Sequence, residues 1–188
     1  MQDITELPRS ETIDSARELL EEAPPAVKNH SLRTFLLGRA YAQARRIDFD
    51  EEGLCLAAIF HDFGLFPHHL DRSKPFTRTS SELLDEFLED RSIPESKARL
   101  LKEAILLHMQ PVPRWSRGSI AGLLQVGAWM DATGLRKWRV RRTAREIERA
   151  FPRLGFSLAF PPLLVKSIGS PRVCIELLRG KPLRSSNA

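Results

Sequence analysis

Cysteine is close to absent from this sequence. Cys55 and Cys174 are the only two, which excludes a disulfide framework and a cysteine-built zinc ribbon. Long apolar runs are missing as well. None approaches the ~20 residues that a membrane span requires, so no membrane partner is expected. The opening MQDITELPRSE is acidic and polar rather than basic and then apolar, which argues against a secretory leader and predicts a cytoplasmic protein. No stretch alternates apolar and polar residues as a half-buried strand would. There is no Gly–Ser linker and no internal repeat.

What is present suits one globular domain. The chain has 188 residues, 42% of them hydrophobic, too many for disorder to dominate. Surface scaling for this size lets about 70% of the extended surface be buried. The net charge of +5 is unevenly spread: residues 1–103 carry 14 basic and 20 acidic side chains, residues 104–188 carry 15 and four. The basic excess is densest in LRKWRVRRTARE, Leu135 to Glu146. A stripe of this kind can bind phosphates, but Leu135, Trp138, Val140, Ala144 and Ile147 interrupt it and need burial. It therefore reads as a solvated face, and nucleic acid is disfavoured as a partner. Homo-oligomerisation stays open.

The apolar spacing is helical almost throughout. A short helix is expected over Ile13 to Ala23, with Ser15 and Glu18 in capping-box spacing. A longer one runs from about Pro25 to Arg46, since proline is tolerated in a first turn. Asp48 or Asp50 can cap the next, which ends near Gly64. Pro67 to Arg78 reads as a loop, and Thr79 with Glu82 as a capping box opening a helix to about Asp90. Further helices are expected from Ser92–Glu95 to His108, from Ser116 to Thr133 before Gly134, and over Arg141 to Phe151. Pro162 to Arg179 reads as helical with an interruption at Gly169 to Pro171, and KPLRSSNA as a frayed tail. The fold class is all-α, with residues 1–24 as a packed N-terminal helix, 25–134 as the core and 135–188 as a helical extension.

Four metal-capable residues fall on inward faces near helix ends. His30 lies on the stripe Val27, His30, Thr34, Leu37, Tyr41. His61 and Asp62 close the run LAAIFHDFGL, on the face of Leu54, Ala57 and Ala58. Asp131 stands in register with Ile120, Leu124 and Gly127. A histidine on an apolar stripe can simply be a hydrogen-bonded core residue. A buried carboxylate is harder to leave unpartnered, because without a cation or strong donors it costs several kcal/mol. Two imidazoles and two carboxylates suit zinc, iron(II) or manganese.

The order His, His-Asp, Asp on successive helices resembles the HD-domain metallohydrolase superfamily. The phrases NHSLRTFLLG, AAIFHDFGL, AILLH and GAWMDATG are similar to its cyanamide-hydratase-like branch. The resemblance implies an all-α bundle holding one divalent ion through His30, His61, Asp62 and Asp131. It also implies a small-molecule substrate, with Asp62 as both ligand and proton acceptor. His108, beside the inward stripe Leu101, Ala104, Ile105, becomes a catalytic or substrate-contacting candidate, with a helix-end histidine as the plainer alternative.

One departure from the superfamily separates the candidate reactions. Many of its phosphohydrolases carry a lysine shortly after His-Asp, whereas FGLFPHHL follows Asp62 here and the first lysine is Lys74. Phe63 and Phe66 are therefore expected to wall an apolar pocket, and Arg33 to bind substrate or to salt-bridge a neighbouring helix. The resulting expectation is a hydratase or hydrolase acting on a cyanamide- or nitrile-type substrate. The alternatives are an HD phosphohydrolase and a non-enzymatic helical module. Trp115, Trp129 and Trp138 read as core or pocket wall.

Overall fold

The computed structural model describes residues 4–180, and the expected frayed tail KPLRSSNA lies outside them. Among the described residues there are nine α-helices and no strand: α1 Glu11–Leu20, α2 Pro25–Arg45, α3 Glu51–Phe60, α4 Phe76–Glu89, α5 Glu95–Leu107, α6 Ser119–Thr133, α7 Arg141–Ala150, α8 Phe156–Ser167 and α9 Pro171–Arg179. Short 3-10 turns lie at Phe63–Leu65, Trp115–Arg117 and Lys137–Val140.

The helix starts differ from expectation in instructive ways. Ser10, not Ser15, caps α1, its hydroxyl accepting from the Ile13 amide. Thr79 lies inside α4, which begins at Phe76 after Pro75 with no side-chain cap. Proline presets the extended approach and makes the Thr79–Glu82 spacing incidental; Glu82 instead pairs with Lys74 at 2.5 Å. Asp50 does cap α3, Pro25 opens α2, and Gly134 at φ +78° closes α6. The interruption after Ser167 divides α8 from α9, and α8 begins six residues before the expected Pro162.

The bundle is organised around α2, buried on nearly every side from Ala26 to Ala42 as a helix without a polar face must be. Helices α3, α6, α7 and α8 pack on it, while α5 backs α3 and α6 and α4 lies on α5. Where α2 meets α6 the backbones touch. A Cβ at Gly38 would stand 3.0 Å from the Leu123 carbonyl, and one at Gly127 only 2.1 Å from the Thr34 carbonyl. Position 38 thus faces 123 and position 34 faces 127, so the two helices run antiparallel in four-residue steps. The next step places His30 against Asp131.

Residues beyond Gly134 return to α2. Helix α7 buries Ala144 and Ile147 and leaves Arg141, Arg142, Arg145 and Arg149 in solvent. The link to α8 is anchored from α2: Arg33 Nη1 donates to the Phe151 and Pro152 carbonyls, both at 3.0 Å, and Asn29 Nδ2 to Pro152 at 2.8 Å. No helix among the described residues is long and apolar enough to cross a membrane.

Candidate metal centre

Helix α2 supplies His30, the end of α3 supplies His61 and Asp62, and the end of α5 supplies His108. All four are at most 2% exposed. Each imidazole has its Nδ1 occupied. His61 donates to the Ala58 carbonyl at 2.8 Å, His108 to the Ile105 carbonyl at 2.7 Å, and His30 to Asp131 Oδ2 at 2.6 Å. With Nδ1 so engaged, Nε2 is the atom at which each ring can offer a lone pair.

Those lone pairs converge. His30 Nε2 and His61 Nε2 are 3.3 Å apart, and Asp62 Oδ2 lies 3.6 Å and 3.3 Å from them. Two ligand atoms bonded tetrahedrally to one zinc at about 2.1 Å would stand about 3.4 Å apart. His30, His61 and Asp62 can therefore hold a divalent ion. Both Asp62 oxygens are buried and accept no hydrogen bond, the condition that a cation relieves. Burial raises the Asp62 carboxyl above its usual range. Burial and, next, the neighbouring His30 push His61 down to about 3. Burial and then His61 bring His108 to about 3. At neutral pH both rings are neutral, as ligands or proton acceptors must be.

The fourth expected ligand sits elsewhere. The Asp131 carboxylate is on the far side of the His30 ring, where both its oxygens are bracketed by Arg33: Nε to Oδ1 at 2.7 Å and Nη2 to Oδ2 at 2.8 Å. Arg153 Nη1 adds a contact to Oδ1 at 3.3 Å. Burial alone would raise this carboxyl, but the hydrogen bonds from Arg33 and His30 outweigh it and hold Asp131 well below the usual carboxylate range. In this geometry Asp131 is hydrogen-bonded to the Nδ1 side of His30 and lies outside the group formed by His30, His61 and Asp62.

A cavity of about 260 Å³ opens beside Asp62 and the three histidines, walled by Met109, Ala128, Trp129, Ala132, Thr133 and Phe160. No lysine or arginine lines it. Arg33, Phe63 and Phe66, the expected substrate contacts, are not on its wall. Arg33 is fully buried behind Asp131. The two phenylalanines pack with Phe60 in the core, Phe60–Phe63 at 4.5 Å and Phe63–Phe66 at 4.8 Å between centroids. They were drawn inward because the 3-10 turn after Asp62 folds that segment under α4. Two aromatic neighbours of the site are not apparent from the sequence: Phe160 of α8, on the cavity wall, and Phe156, which stacks on His30 at 4.1 Å and 15° from parallel. Trp129 walls the cavity with its indole N–H donated to the His108 carbonyl at 3.0 Å.

The family profile described as HD domain matches residues 27–147, spanning His30, His61, Asp62, His108 and Asp131. The chain belongs to the HD-domain family. HD domains are mostly metal-dependent hydrolases, and in this one the His30–His61–Asp62 group is where a divalent ion can bind. No curated protein matches the sequence. The aromatic residues Phe156 and Phe160 of this HD domain lie beyond the matched segment.

Proposed function

We propose that this HD domain is a metal-dependent hydratase or hydrolase that adds water to a small uncharged carbon–nitrogen substrate of the nitrile type. One observation carries the reading: the metal-capable triangle faces a cavity whose wall offers no cation. Phosphate esters are ordinarily held by arginine, lysine or clustered backbone amides. The two guanidiniums around Asp131 are engaged there and on the backbone, Arg33 with the Asp131 carboxylate and the Phe151 carbonyl and Arg153 with the Asp131 carbonyl.

The expected ion is zinc, iron(II) or manganese. Held by His30, His61 and Asp62, it would supply Lewis acidity that polarises the substrate and makes water a better nucleophile. The chain's own groups do the rest. Asp131 fixes the His30 tautomer through Nδ1, and Arg33 fixes Asp131. Asp62 Oδ1, on the side away from His30 and His61, lies 3.7 Å from His108 Nε2 and can accept a proton from the attacking water. His108 is neutral, with its Nδ1–H donated to the backbone, so its bare Nε2 can take up the proton that Asp62 Oδ1 has accepted and hand it on to the substrate nitrogen. For a nitrile R–C≡N the water oxygen bonds to carbon as one C–N π bond breaks, and tautomerisation then exchanges the second C–N π bond for a C=O π bond while both water hydrogens finish on nitrogen. The product is the amide R–C(=O)–NH₂, or urea from cyanamide.

The test is a parallel assay of metal-loaded protein on cyanamide, a nitrile panel, and nucleoside mono- and triphosphates, with Asp62→Ala as control. Amide or urea formation that depends on Asp62 is expected. Phosphate release that depends on Asp62, with no nitrile turned over, would overturn the proposal in favour of a phosphohydrolase.

A further inference from the structure

We infer that the cavity takes an uncharged ligand with an apolar body of about phenyl size, and that Phe160 of α8 sets the length of that body. The inference rests on the reading above only for the ligand's polar end.

Size is the first argument. A water claims roughly 30 Å³ of liquid, so about 260 Å³ is room for about nine waters. A molecule of three heavy atoms such as cyanamide would leave most of that space unfilled and most of the wall uncontacted. The wall's chemistry is the second. Its titratable groups are His30, His61, Asp62 and His108, drawn together by the metal-capable group, and the rest of the wall is Met109, Trp129 and Phe160, the small Ala128 and Ala132, and Thr133, whose hydroxyl is already donated to the Trp129 carbonyl. Convergent polar groups facing an apolar wall fit a ligand with one polar head and an apolar remainder. Ala132 and Thr133 are exposed and mark the mouth.

The α8 side of the wall is also built into the site. Phe156 stacks on His30, and Phe160 lies 5.0 Å from Phe156 and 6.0 Å from His30 between ring centroids. The chain entering α8 is held by Arg33 and Asn29 on the Phe151 and Pro152 carbonyls, and Arg153 donates to the Asp131 carbonyl at 2.6 Å. The same Arg33 clamps Asp131. Because α8 lies outside residues 27–147, the part of the wall that Phe160 supplies comes from beyond the matched segment, while Met109, Ala128 and Trp129 come from within it.

The experiment is equilibrium binding to the full-length protein by calorimetry, with benzonitrile, cyanamide and inorganic phosphate as probes, on wild type, Phe160→Ala and Phe160→Trp. Circular dichroism confirms that each variant is folded. Benzonitrile is expected to bind at least tenfold more tightly than cyanamide or phosphate. Phe160→Ala should weaken it severalfold, and Phe160→Trp, which fills the cavity, should abolish it. Cyanamide or phosphate binding as tightly as benzonitrile would overturn the inference, as would unchanged benzonitrile affinity in a folded Phe160→Trp protein. Binding is read without turnover, so the two proposals fail separately. A protein that binds benzonitrile yet hydrates no nitrile retires the reaction alone, and turnover of cyanamide without benzonitrile binding retires this inference alone.

Discussion

Arg33 and Asp131 form a two-bond guanidinium–carboxylate pair with both side chains at zero exposure, one helix step from the metal-capable triangle. Removing one member of a buried pair strands the other charge and costs about 3–5 kcal/mol, whereas replacing both by apolar groups is often close to neutral. Arg33→Met and Asp131→Leu should each lower stability in urea by about that much, and the double variant should recover most of the loss. His30 loses its Nδ1 partner in the double variant, so metal affinity should stay about 10–100-fold weaker. Urea titration together with metal titration checks both halves. Additive losses in the double variant would refute the pairing argument.

Asp62 should trade stability against metal. Its two oxygens accept no hydrogen bond and burial disfavours its charge, so neutralising it removes an unpaid desolvation. In chelator, Asp62→Asn should unfold at a higher temperature than wild type, by roughly 1 kcal/mol or more of added stability. The same variant should bind no stoichiometric metal. Thermal unfolding in chelator and metal analysis of the purified variant read the two effects, and a destabilised Asp62→Asn would mean that the carboxylate has partners of its own.

Metal-free protein should weaken as pH falls through 6.5. His61 and His108 have folded values of about 3 against 6.5 when exposed. Above pH 6.5 both states leave them neutral and they contribute nothing to the pH dependence. Below it the unfolded chain takes up protons that the folded one refuses, so stability falls by up to about 1.4 kcal/mol per pH unit per ring until about pH 3. Asp62, raised in the folded state, takes up its proton early and offsets part of this toward the carboxylate range. Urea midpoints of chelated protein at pH 7, 6 and 5 should decline, and His108→Gln should show about half the slope. A flat profile would contradict the buried neutral pair.

The all-helical class and the inward positions of His30, His61 and Asp62 were legible because both rest on local periodicity. The closing Gly134 was legible too, since only a residue free to adopt positive φ ends α6 there. Local pattern failed where several residues could serve one purpose. Ser10 and Ser15 each begin a plausible cap, and which amide is left bare depends on how α1 packs on α3. The role of Arg33 was ambiguous for the same reason: reaching the substrate and reaching Asp131 look identical from α2 alone. Phe156 and Phe160 were invisible because their contacts with His30 cross most of the chain. Pro162 reads as a helix start, whereas α8 carries it, with Pro161, in its interior.

The bare backbone contact of α2 with α6 has a consequence for how the centre tolerates sequence drift. Most helix pairs are held apart by side chains, and their spacing breathes as those side chains change volume. Here Gly38 and Gly127 let main chain rest on main chain, so the separation is a hard stop. The 2.6 Å reach from His30 to Asp131 is gauged from that stop, one step further along the same two helices. Leucines and alanines elsewhere in the bundle can be exchanged without detuning it, while a single methyl group at position 127 would throw the calibration out.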